Sequence, residues 1–166
     1  MWLSARGLLA TLTAMHELTF GPSSAQAFAG PLAVTVVYVL LYYLTIANQL
    51  RVKSRLRHAY RARGEVFDRY FNTDREMLAA DRYVGNMLEH MPPFVALLWL
   101  NAVFVGPRAA TFAGGAYVFS RLLYPFLMGA RLGRGVPNRI MFATVIGYVT
   151  LAYLAGRLVV AASGLA

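Results

Sequence analysis

The sequence predicts an all-α integral membrane protein, a bundle of four transmembrane helices. Three observations carry that expectation. Apolar residues make up 58% of the 166 positions and charged residues only 14%, against about 25% charged in an average soluble domain. The apolar residues gather in four long stretches, each close to the roughly 20 residues needed to cross a bilayer core of about 30 Å. The sixteen Lys and Arg outnumber seven Asp and Glu, and they concentrate in two connections, as cytoplasmic loops do. No room is left for a separate soluble domain of ordinary size. A net charge of +9 and a pI near 10.4 would point to nucleic acid in a soluble protein. Beside apolar spans they point instead to topology and anionic headgroups, so the lipid bilayer is the expected partner and nucleic acid is not. Cysteine is absent, which excludes disulfides and thiolate metal sites and leaves the redox compartment unread.

The elements follow in order. In residues 1–28, Arg6, the apolar run 7–15 and Ala25-Gln26-Ala27 loosely imitate a signal peptide. The apolar part is short, contains Thr11 and Thr13, and runs into His16 and Glu17, so a retained interfacial helix is the preferred reading. Gly21-Pro22-Ser23-Ser24 should end it as a turn. A membrane domain over 29–162 comes next. Its first span covers 31–48, with Pro31 suited to a helix start and Tyr42 and Tyr43 suited to an interfacial belt. Residues 50–75 form the main basic loop, carrying Arg51, Lys53, Arg55, Arg57, Arg61, Arg63, Arg69 and Arg75. Asn72 or Thr73, with Glu76 three residues beyond Thr73, looks like the cap of the next helix. That helix should begin in the cytosol and span 86–105. Gly106-Pro107-Arg108 makes a tight outer turn, and a third span covers 109–130. A short loop with Arg131, Arg134 and Arg139 precedes a fourth span at 140–160. Counting from the two basic loops places both termini outside the cytoplasm, and the short loops and compact size point to a bacterial inner membrane.

Polar residues inside spans are the functional candidates, because charge there is costly and rare. Arg82, Asn86 and Glu89 lie at i, i+4 and i+7, which puts a cation, an amide and an anion on one helical stripe. The stripe is either a pocket for a small zwitterion or a polar seam between helices. Arg121 and Tyr124 sit about one turn apart in the third span. Arg121 is either paired with Glu89 or a second arm of the same pocket, and both can hold at once. Pro137-Asn138-Arg139 opens the fourth helix. Its arginine is either a topology charge or a cation facing a reacting anion, such as a thiolate, at the membrane edge. His16, His58 and His90 show no metal-ligand spacing, and no metal is expected. Gly114-Gly115 and Gly129 read as packing contacts, and Pro92, Pro93 and Pro125 as local bends.

Three ordered blocks resemble the MAPEG family, the membrane-associated proteins in eicosanoid and glutathione metabolism. Arg82-x-x-x-Asn86-x-x-Glu89 with Pro92 and Phe94 looks like the family's second-helix motif, and Arg121-x-x-Tyr124 like its third-helix pair. Pro137-Asn138-Arg139 with Gly147-Tyr148 looks like the fourth-helix opening of the microsomal glutathione transferase branch. The resemblance covers roughly 29–160. It implies a left-handed four-helix bundle assembled as a homotrimer, with glutathione held as substrate between neighbouring subunits on the cytoplasmic side. Arg82, Asn86, Glu89, Arg121 and Tyr124 would then bind glutathione, and Arg139 would be the catalytic residue that stabilises its thiolate. The implied activity is conjugation of glutathione to an apolar electrophile, with glutathione peroxidase chemistry as a side activity. Met128 stands where several members have a second tyrosine, and the basic loop is longer than in the leukotriene-forming branch. The alternative is therefore a non-catalytic lipid-binding or scaffold protein of the same fold. A small channel or transporter has less support, because the spans lack paired broken helices or a repeated half.

Overall fold

The computed structural model describes residues 22–71, 73–133 and 138–164. The expected N-terminal interfacial helix falls largely outside them. Within them lie a short helix, α1 (Pro22–Ala27), and four long ones, α2 (Ala29–Ala62), α3 (Arg75–Phe104), α4 (Pro107–Met128) and α5 (Ile140–Ala162). Pro22 to Ser24, expected in a turn, begin α1 instead, in keeping with proline's preference for the first helical position.

The largest departure from expectation is α2. The first span does not give way to a loop at residue 50; the helix continues through the basic stretch to Ala62. Residues 50–62 contain no Gly or Pro and are rich in Arg, Leu and Ala, all good helix formers. Val52 and Leu56, one turn apart, are buried against Met77 and Ala80 of α3. A helix of 34 residues is about 51 Å long, so its basic end stands clear of a 30 Å hydrocarbon core. Gly64, at φ 72°, ends it, with backbone N–H groups of Arg63 and Glu65 returning to the Tyr60 carbonyl, both at 3.0 Å. In the following connection the N–H groups of Phe71 and Tyr70 donate to Asp68 and hold its carboxyl below the ordinary carboxylate value.

The cap of α3 is Asp74, not Asn72 or Thr73. Its carboxylate accepts from the N–H of Glu76 at 2.9 Å and of Met77 at 3.3 Å, as a first-turn cap should. Glu76 pairs with Arg55 rather than closing a capping box. The helix then runs on through Pro92 and Pro93 without a break. The α3–α4 turn is as tight as the sequence predicts: the N–H groups of Val105 and Gly106 both donate to the Asn101 carbonyl, at 2.9 and 2.8 Å. Gly106, at φ 147°, makes the reversal possible.

Both helices of this hairpin touch α2 and both touch α5, so the hairpin is the centre of the bundle. Its core is aromatic: Phe94 stacks on Tyr117 at 4.1 Å, and Tyr38 of α2 tilts against both. The buried Asn101 amide donates to the Leu154 carbonyl at 2.9 Å and ties α3 to α5. Among the described residues, α2, α3 and α5 are long and apolar enough to cross a membrane. Arg121, two adjacent glycines and two tyrosines dilute α4, the fourth expected span. At Gly114 a Cβ would come within 2.8 Å of both Leu98 and Val34, whereas at Gly115 it would meet nothing within 4 Å. Gly114→Val should therefore destabilise the bundle by about 1–3 kcal/mol through overpacking. Gly115→Val should stay within about 0.5 kcal/mol, and unfolding in mixed micelles compares the two.

Candidate functional site

The site is built where α3, α4 and α5 meet. Arg121 is its centre, 2% exposed. On α4 it has Tyr117 four residues before it and Tyr124 three residues after, so all three share one helical face. The guanidinium carbon lies 5.1 Å from the Tyr117 ring centroid and 5.7 Å from that of Tyr124, within cation–π range. Its Nη1 donates to Asn86 Oδ1 of α3 at 2.7 Å, and its Nε to Ser120 Oγ at 3.3 Å. The third wall is the backbone of α5. A Cβ on Gly147 would overlap the Arg121 Nη2 and lie 3.2 Å from its Cζ, so glycine there lets the guanidinium approach the helix backbone closely.

The Arg121–Glu89 ion pair, one of the two readings the sequence left open, is absent among the described residues. Among the described residues no carboxylate pairs with Arg121; its positive charge is met by an amide oxygen, a hydroxyl and two ring faces. Those groups orient the charge without cancelling it, so it keeps a positive potential in a low-dielectric bundle.

The α3 stripe thus divides. Asn86 is half-buried and turned to Arg121, while Arg82 and Glu89 are exposed in the single chain. The buried face of α3, with Tyr83, Met87, Phe94 and Leu98, points elsewhere around the helix. The stripe therefore borders the core without belonging to it. Tyr124 is half-buried and meets Tyr83 edge-on at 6.4 Å. The Tyr83 hydroxyl donates to the Gly129 carbonyl, with that of Pro125 at 3.2 Å, fixing the C-terminal end of α4. Arg139 is exposed at the residue before α5, with its Nη2 3.5 Å from where a Gly129 Cβ would stand. Gly129 itself needs its φ of 84°. Met128 is buried with Ala79, Tyr83 and Ile140, so its position serves packing.

Five of the six predicted residues thus lie on the helices that meet around Arg121, while Arg139 stands just before α5, beside Gly129 at the end of α4. The sequence reading passed over Tyr117 and Ser120, although the spacing of Tyr117, Arg121 and Tyr124 was visible. It also passed over the contact of Gly147 with Arg121, which no local pattern encodes. The His90 and Tyr148 rings meet edge-to-face, with centroids 5.4 Å apart.

Apolar helices around a buried, oriented cation define a helical integral membrane protein with a polar site inside its bundle. The chain matches the MAPEG family over residues 29–160 and belongs to it. A search of individually characterised proteins finds no match.

Proposed function

We propose that this protein is a membrane glutathione transferase of the microsomal type. It joins the glutathione sulfur to an apolar electrophile that arrives from the lipid. The observation that carries the reading is Arg121: a buried guanidinium, held in orientation by Asn86, Ser120 and two tyrosines, with no carboxylate partner among the described residues. Burying a charge is costly, and this arrangement favours an anion. Glutathione brings two carboxylates and an ammonium group. Arg82 and Arg121 suit the carboxylates, Glu89 the ammonium group, and the Tyr124 hydroxyl a further contact. Arg139, at the aqueous end, would stabilise the thiolate. Sulfur then attacks the electrophilic carbon, the leaving group departs with the bonding pair, and the thiol proton passes to solvent. No protein nucleophile is required.

Arg82 and Glu89 are exposed in the single chain, which fits a site completed by a neighbouring subunit, in a left-handed homotrimer with α4 as the fourth span. The basic end of α2 and the 129–139 connection would face the cytoplasm, in a bacterial inner membrane, with both termini on the other side. The buried Met128 favours the second reading, a binding or scaffold protein without catalysis, because it removes a hydroxyl from the thiol end.

Titrating the detergent-solubilised protein with glutathione, while following heat and thiolate absorbance, tests both readings. Catalysis predicts binding with a rise in thiolate absorbance and conjugate formation with a general aromatic electrophile. Binding without either change favours the second reading, and no binding excludes both glutathione roles. Glu89→Gln should lower glutathione affinity about tenfold, the worth of one charge-assisted contact, with the assembly state unchanged by size exclusion.

A further inference from the structure

The basic end of α2 is more than a topology signal. A cleft of about 620 Å³ opens at the cytoplasmic end of the bundle, and arginines line it from three places: Arg55 on α2 with Arg63 just past its end, Arg75 at the start of α3, and Arg131 in the connection after α4. These residues are far apart in sequence, and the fold brings them together. A two-way clasp holds the walls. The Leu132 N–H donates to the Arg75 carbonyl at 2.9 Å, and Arg75 Nε donates to the Leu132 carbonyl at 2.5 Å. Arg75 is thus fixed through Nε while its terminal nitrogens make no bond among the described residues. Arg131, next to the clasp, makes no hydrogen bond or ion pair among them.

The carboxylates present offset only part of the charge of the cleft, where Arg55, Arg63, Arg75 and Arg131 face Glu65, Asp74 and Glu76. Glu76 pairs with Arg55 and Glu65 with Arg63, and Asp74, which caps α3, also lies at the cleft and acts on Arg63 through its charge. Arg75 and Arg131 remain, and Arg51, Arg57 and Arg61 on exposed faces of α2 add to the field. The cleft is separate from the site around Arg121: Arg75 precedes Asn86 by eleven residues of α3, about 16 Å along the axis. Topology requires only that charge be present on one side of the membrane. It does not require guanidiniums to converge on one cavity or to be anchored there.

We propose that this cleft binds a phosphate-bearing anion. Guanidinium forks match the paired oxygens of a phosphate, and several of them around one cavity suit its spread of negative charge. The phosphate can come from an anionic lipid headgroup, which polybasic segments at a membrane surface attract, or from a soluble phosphate compound of the cytoplasm.

The test uses the full chain in nanodiscs of neutral phosphatidylcholine, titrated with inorganic pyrophosphate by calorimetry. In parallel, discs containing phosphatidylglycerol are analysed by native mass spectrometry for lipid retained on the protein. Wild type should bind pyrophosphate in neutral discs, retain phosphatidylglycerol, or both. Arg75→Gln/Arg131→Gln should weaken either ligand at least tenfold. Arg57→Gln/Arg61→Gln, which removes the same charge outside the cleft, should weaken it less than threefold. Arg131→Gln alone breaks no bond of the fold and should still weaken binding several-fold, so misfolding cannot mimic the result. Retained lipid identifies a headgroup site; pyrophosphate binding without retained lipid identifies a soluble ligand. The proposal is overturned if wild type takes neither ligand, or if the two double variants lose binding equally, which would make the effect one of net charge.

Discussion

Asn86→Leu is expected to destabilise the bundle by about 2 kcal/mol, and adding Arg121→Leu to it should restore most of that loss. The single change takes away the only side-chain oxygen that another helix offers the Arg121 guanidinium among the described residues, leaving a buried cation with one hydroxyl and two ring faces. Removing one partner of a buried charged hydrogen bond costs about 1.5–3 kcal/mol, whereas replacing both partners by apolar groups of similar size is often close to neutral. In the double variant the meeting of α3, α4 and α5 becomes apolar, and leucine suits that environment. Glutathione binding should move the other way. Asn86→Leu keeps the cation but loosens its aim, and affinity should fall about threefold. The double variant removes the cation, and affinity should fall tenfold or more. Unfolding in mixed micelles and calorimetric titration of the same samples give the two readouts. If stability and affinity fell in parallel through the series, Arg121 would be a structural polar seam and the proposed site would lose its centre.

That prediction rests on a distinction the sequence left open. The spacing of Arg82, Asn86 and Glu89 placed them on one stripe, and a helical period could go no further. Whether such a stripe is a seam or a pocket depends on what the neighbouring helices present. Asn86 accepts a hydrogen bond from Arg121, while Arg82 and Glu89 stay exposed in the single chain. The three apolar spans, the tight turn at Gly106 and the start of α3 ahead of its apolar part were legible because each is written in local composition. The length of α2 was misread because a dense run of arginines looks like a loop to a rule based on charge. The better signal was the absence of Gly and Pro up to Gly64, with Val52 and Leu56 a turn apart inside the basic run. Asp74 was overlooked as a cap because the capping-box pattern of Thr73 and Glu76 drew attention one residue away. The convergence of Arg55, Arg63, Arg75 and Arg131 joins segments up to 76 positions apart in the chain, and no reading of local spacing could reach it.

Gly147→Val should damage the same site from the opposite wall. A Cβ at this position would overlap Arg121 Nη2 and stand 3.2 Å from Cζ and 3.3 Å from Ser120 Oγ. The tip of an arginine can usually swing aside at little cost. Here it is bound to Asn86 on one side, and the Ser120 hydroxyl that would have to move with it donates to the Tyr117 carbonyl at 2.7 Å. Valine's further methyl groups fill the space that the guanidinium occupies, so either the Asn86 bond breaks or α5 moves away from α4. Overpacking of this kind costs about 1–3 kcal/mol. Because the strain falls on Arg121, glutathione affinity should drop about tenfold, with Gly147→Ala intermediate. Gly156→Val on the same helix is the matched comparison: a Cβ there meets nothing within 4 Å, so stability and affinity should both stay near wild type. A Gly147→Val protein that is destabilised but binds glutathione as tightly as wild type would show that the aim of Arg121 plays no part in recognition. Reduced affinity at Gly147 with none at Gly156 would tie the ligand to this guanidinium rather than to packing of α5 in general.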